Sequence, residues 1–143
     1  MKPATAKIWL QRMLYFVAII LLMAVVPIFF PESLMDWMHQ KLGLGELSDQ
    51  PITSYLTRST SMLYAVHGAV MLRTAMKIEN LFKIVPLLAW LHVAIGLVLL
   101  GIDWNAQMPW WWTLGEGPSI AAGGLLMVWL CHQARPEFQT TSG

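Results

Sequence analysis

Six side chains in this sequence could do chemistry from inside or beside a membrane: Arg58, Tyr64, His67, His92, Asp103 and Glu116. Both histidines lie within long apolar runs, where an ionisable group marks a functional site by default because it is costly to place there. With a helical turn near Glu79, His67 falls 12 residues before it and His92 13 residues after it. At about 1.5 Å per residue both then sit roughly 18–20 Å from that turn, at matched depth on antiparallel neighbours. Two imidazoles so placed are a candidate axial pair for a b-type haem. They are equally the pattern of a neutral, hydrogen-bonded pair between helices. Adjacent helices count against haem, because a porphyrin between them would force them apart.

Asp103 and Glu116 flank the connection after the third apolar run, at the height where Arg58 starts the second. An ion pair from Arg58 to either would spare a boundary charge from being unpaired. With His39 and Asp36 the three could converge on one outer pocket, suited to a small polar ligand or a quinone headgroup. Asp103 and Glu116 are a weak acid/base pair for catalysis, since neither a nucleophile nor a metal set accompanies them. A single cysteine, Cys131, excludes an internal disulfide and a CxxC metal motif.

Positioning such groups falls to helices in a bilayer. Hydrophobic residues make up 57% of the 143-residue chain and charged residues 12%, about half the charge of a soluble domain. A net charge of +1 gives no field that favours nucleic acid. "MLYFVAIILLMAVVPIFF" and "IVPLLAWLHVAIGLVLLGI" are uncharged; "STSMLYAVHGAVML" and "GPSIAAGGLLMVWLCHQA" extend to span length with their flanks. The expectation is one all-α domain over 1–143, a four-helix transmembrane bundle with spans at about 8–30, 53–76, 82–103 and 113–134. The first run, too long for a signal-peptide core, is read as a retained anchor.

Lys2, Lys7, Arg12, Arg73, Lys77, Lys83 and Arg135 fall at one end of these spans; Glu32, Asp36, Glu46, Asp49, Asp103 and Glu116 fall at the other, with only Lys41 and Arg58 as bases. The positive-inside rule then puts both termini in the cytoplasm of a bacterial inner membrane. Between the first two spans, Leu34, Met35, Met38 and Leu42 recur at helical spacing with polar residues between them, as in a short amphipathic helix on the outer surface. Trp110, Trp111 and Trp112 read as interfacial anchors. Pro27 and Pro86 are expected to bend the runs that contain them.

At 100° per residue, Thr60, Tyr64, His67, Met71 and Thr74 share one face of the second span, and Ser61, Ala65, Gly68 and Ala69 lie opposite with Arg58. On the third span Ala89, His92, Gly96, Leu99 and Asp103 align. Ser119 and Gly123 form a small-xxx-small pair on the fourth, with Gly124 beside them. The first span, with few small residues, reads as a lipid-facing packing helix.

The segments "MDWMHQKLGLGELSDQPITSYLTRSTSMLYAVHG" and "GIDWNAQMPWWWTLGEGPS" resemble a family of small bacterial four-span membrane proteins with no assigned activity. Size and span number are also similar to DoxX-like membrane proteins, a likeness of architecture without a shared motif. It implies a place beside a respiratory or redox complex. The expected function is a non-enzymatic membrane component, an accessory subunit of a membrane complex or a small-ligand-binding protein, either of which could be a homo-oligomer, with no cofactor. The alternative is a haem b or quinone-linked redox subunit using His67 and His92. A small transporter is a third class, but no span is broken at its middle by Gly or Pro.

Overall fold

Pro27 decides how the first apolar run ends. It has no N–H to give the carbonyl of Met23, and its ring crowds that carbonyl. In the computed structural model, which describes residues 1–140, helix α1 (Pro3–Leu22) stops just there. A turn at Met23–Ala24 follows, and α2 (Val25–Ile28) resumes for four residues. Helix α3 (Glu32–Lys41) is the amphipathic segment, with Met35 buried. Then come α4 (Pro51–Met76), α5 (Ile78–Leu81), a 3₁₀ turn at Phe82–Ile84, α6 (Val85–Asn105), α7 (Trp110–Gly115) and α8 (Gly117–Thr140). Among the described residues there is no strand.

Three segments are long and apolar enough to cross a membrane: Pro3–Ile28, Ile78–Asn105 and Trp110–Gln139. Helix α4 has the length, at 26 residues, but Arg58, Arg73 and the hydroxyl residues Thr57, Ser59, Thr60 and Ser61 dilute its apolar content. Pro86, expected to bend a span, sits instead in the first turn of α6, where its missing N–H would be unpaired anyway. The 3₁₀ turn before it moves the start of this helix from the expected 82 to Val85.

Large apolar side chains stay uncovered along the long helices: Phe16 is 63% exposed, Leu63 70% and Val98 60%. In water such surface would associate; in a bilayer it meets acyl chains, while the helical backbone satisfies its own polar groups. The chain divides into two compact units, Met1–Leu14 with Thr74–Gly143, and Tyr15–Arg73.

In the first unit the α6–α8 antiparallel pair is the structural centre. A Cβ on Gly96 would collide with the backbone N of Ala121 and O of Gly117. One on Gly117 would come within 2.6 Å of Gly96 O, and one on Gly124 within 2.6 Å of Val93 N and 2.9 Å of Ala89 O. The glycine hydrogens therefore point at facing carbonyls, the geometry of Cα–H···O contacts between closely packed helices. The contact stripe on α8 is Gly117–Ala121–Gly124, one helical step from the expected Ser119–Gly123 pair. Ser119 is exposed, and a Cβ on Gly123 would only touch Met13 Cε at 3.6 Å. Helix α1 joins this unit through Ala6, Leu10 and Leu14, all fully buried, and through Gln11 Nε2 donating to Ala75 O at 2.9 Å. The first span thus has a buried stripe at every fourth position as well as an uncovered face.

In the second unit α4 packs on the end of α1 at Gly68, whose Cβ would lie 2.9 Å from Leu22 N. Helix α3 closes with a Schellman motif: Leu44 N–H donates to His39 O at 3.0 Å and Gly43 N–H to Gln40 O at 2.9 Å. Gly43 takes φ +71°, a left-handed conformation that costs other residues about 1–2 kcal/mol. Asp36 pins the following loop, accepting from Leu47 N–H and Gln40 Nε2, both at 2.8 Å. Asp36→Ala strands the Leu47 donor and should destabilise the loop by about 1–2 kcal/mol. The expected readout is faster proteolytic cleavage within 43–50, with the global unfolding midpoint little changed.

Candidate functional site

Asp103 and Glu116 are brought together. Asp103 ends the buried face of α6, two turns beyond Gly96, and is 5% exposed. Glu116 stands at the junction of α7 and α8, where its backbone N–H donates to Trp112 O at 2.9 Å. Its carboxylate accepts a hydrogen bond from the Trp112 side chain and lies within electrostatic reach of Asp103. Close α6–α8 packing produces the juxtaposition, because Gly117 touches Leu100 and places the residue before it beside the last turn of α6. Thr113, also buried, bonds back to Met108 O and Pro109 O at 3.4 Å and fixes the short α7 turn.

One oxygen at this end is chemically unsatisfied. Asp103 Oδ2 is out of contact with solvent and has no hydrogen-bond partner among the described residues. A buried carboxylate oxygen without a donor is expensive, and a second carboxylate nearby adds repulsion. The pair offers a donor or a cation an unfilled carboxylate oxygen. Trp110, 75% exposed, and Trp111, packed edge-on against Trp112 at 5.7 Å, flank it in sequence.

His92 is buried on the same face of α6. Its Nδ1 is 2.9 Å from Leu88 O, one turn back. A carbonyl can only accept, so Nδ1 donates here, and in the tautomer with a single ring hydrogen Nε2 would be the acceptor. That is the tautomer a metal-ligating histidine adopts when a carbonyl orients it.

Arg58, Tyr64 and His67 belong to the other unit. Arg58 donates through its two terminal nitrogens to Ile28 O at 3.0 Å and Phe30 O at 3.2 Å, and through Nε to Ser54 Oγ at 3.2 Å. These carbonyls lie where the broken α1–α2 segment ends and the helix has no further N–H to offer them. Asp103 and Glu116, the carboxylates expected from the sequence, are in the first unit; within its own unit Arg58 acts as a helix cap. No sequence signal pointed to this, because it depends on the break that Pro27 imposes. Tyr64 is half-buried, as is His67, whose Nε2 is shielded from solvent. On α4 the buried positions are Ala65, Gly68, Met71, Thr74 and Ala75, so the buried surface takes Ala65 and Gly68 from one stripe read from the sequence and Met71 and Thr74 from the other, and leaves Thr60 and Ala69 exposed.

His39 and Asp36 serve the α3 loop, with His39 Nδ1 3.3 Å from Gly45 O. Among the described residues no group of three or more His, Cys, Asp and Glu could hold a metal ion. No protein-family model, curated protein or solved structure matches this chain.

Proposed function

We propose that this chain is a multi-pass integral protein of the bacterial inner membrane, crossing four times with α4 as its second span, and that it works by binding. It is a small-ligand-binding component or an accessory subunit of a membrane complex, with no chemistry of its own and both termini cytoplasmic. Asp103 is the observation that carries the binding role. A buried carboxylate oxygen lacking a donor, beside Glu116 and Trp112, suits a small cation such as an organic ammonium, which carboxylates neutralise and an indole face attracts. Adding a primary amine or tetramethylammonium to the purified protein should raise its unfolding midpoint, and Asp103→Asn should abolish the shift. No shift with either compound, together with a variant more stable than the parent, would make Asp103 a structural group and remove the site.

The hydrogen bond from His92 Nδ1 to Leu88 O supports a second possibility, a haem b or quinone-linked redox subunit in which His92 is a ligand. Protein purified from haem-replete cells and reduced with dithionite decides the haem case. A protein that only binds a small ligand gives no Soret band; a band lost in both His67→Gln and His92→Ala would replace the binding role with the redox one.

A further inference from the structure

At the end of the first unit opposite Asp103, α5, the 3₁₀ turn, the start of α6 and the end of α8 line an open cavity of about 570 Å³. Its charged lining is Glu79, Lys83, His132 and Arg135, and its apolar wall includes Pro86, Val128 and Cys131. Phe82 and Phe138 stack across it, centroids 3.8 Å apart and planes 12° from parallel. The one acidic member of the lining is already neutralised, because Glu79 pairs with Lys7, whose ammonium also lies 5.2 Å from the Phe138 ring centroid. Lys83 and Arg135 have no ion-pair partner among the described residues.

The two cations occupy corresponding positions. Lys83 directly precedes the apolar run of α6, and Arg135 directly follows that of α8. In a bilayer both therefore stand at headgroup height, in the lining of one cavity whose apolar wall includes Pro86, Val128 and Cys131. We infer that this cavity holds the phosphate of an anionic phospholipid. Lys83 and Arg135 bind the phosphate oxygens, His132 stands at the rim, and the acyl chains descend past Pro86, Val128 and Cys131. Arg meets a phosphate with two parallel N–H donors and Lys with a point charge. Basic pockets between spans on the cytoplasmic side are suited to such headgroups. A free phosphate would gain the same charge contacts but would leave the apolar wall unused, which favours the lipid. The inference requires that the chain reside in a bilayer, and its test separates the two claims.

Full-length protein is reconstituted in nanodiscs of phosphatidylcholine alone, or with one-tenth phosphatidylglycerol. Recovery as a folded helical protein in phosphatidylcholine alone establishes membrane residence independently of lipid choice. Native mass spectrometry should then show phosphatidylglycerol retained at least tenfold over its share of the mixture. The double variant Lys83→Gln/Arg135→Gln should lose that enrichment and keep its helical circular dichroism, whereas Lys41→Gln, on the acidic side, should retain it. Inorganic phosphate at millimolar concentration should leave the retained lipid in place. Equal retention by parent and double variant overturns the inference, and displacement by inorganic phosphate overturns the lipid as occupant. Should the double variant lose helicity, the comparison passes to Arg135→Lys, which keeps the charge but not the paired donors. A severalfold drop in retention is expected there, and unchanged retention overturns the assignment.

Discussion

Gly96→Ala should destabilise the protein by about 2–3 kcal/mol, although alanine is the better helix former, because one methyl group must be fitted where there is no room. The atoms in its way are the backbone N of Ala121 and O of Gly117. Backbone cannot rotate aside as a side chain can, so α6 and α8 must separate along their contact. Gly124→Ala meets Val93 N and Ala89 O in the same way and should behave alike. Two other glycines are the controls. A methyl group on Gly101 would find nothing within 4 Å, and one on Gly123 only Met13 Cε at 3.6 Å. Alanine at either should leave stability unchanged or raise it slightly. Unfolding in detergent, followed by helical circular dichroism, reads all four; a uniform response would mean that the close approach of α6 and α8 is not what stabilises the pair. Separation would also move Glu116 away from Asp103, so Gly96→Ala should weaken the ammonium-induced rise in unfolding midpoint.

Arg58→Met should cost about 2–3 kcal/mol, because charge-assisted bonds to the carbonyls of Ile28 and Phe30 disappear together and leave two acceptors without a donor. Arg58→Lys should recover only part of the loss, since an ammonium cannot span both carbonyls with a planar fork. The effect should be largest for the end of α2, read as faster hydrogen exchange across 23–31. If methionine left that exchange unchanged, the guanidinium would be a solvated charge and the cap would not exist.

The long helices were legible because length and apolar content decide them: α1, α6 and α8 follow from uninterrupted apolar runs, and α3 from four apolar residues at helical spacing. A bend at Pro27 was legible, but the full break after Leu22 within an expected continuous span was not. What the sequence could not provide was rotation. Gly117, Ser119, Gly123 and Gly124 are all small, and only the packed partner shows that Gly117 and Gly124 face α6 while Ser119 faces out. Arg58 illustrates a different limit. Opposite charges are found by scanning a sequence, but a backbone carbonyl freed by a helix break carries no letter. Asp103 and Glu116 could be paired from sequence because both bracket one short connection. That Asp103 Oδ2 has no donor required the structure.

The number of crossings is tested most directly by single cysteines in a Cys131→Ser background, labelled in intact cells with a membrane-impermeant maleimide. Three segments are apolar enough to cross, and an odd number of crossings would put Ala4 and Gln139 on opposite faces. With α4 also in the membrane they share one face, and the loop after α3 lies on the other. Ser48→Cys should be labelled from outside, and Ala4→Cys and Gln139→Cys only after permeabilisation. Labelling of one terminus but not the other in intact cells would contradict four crossings.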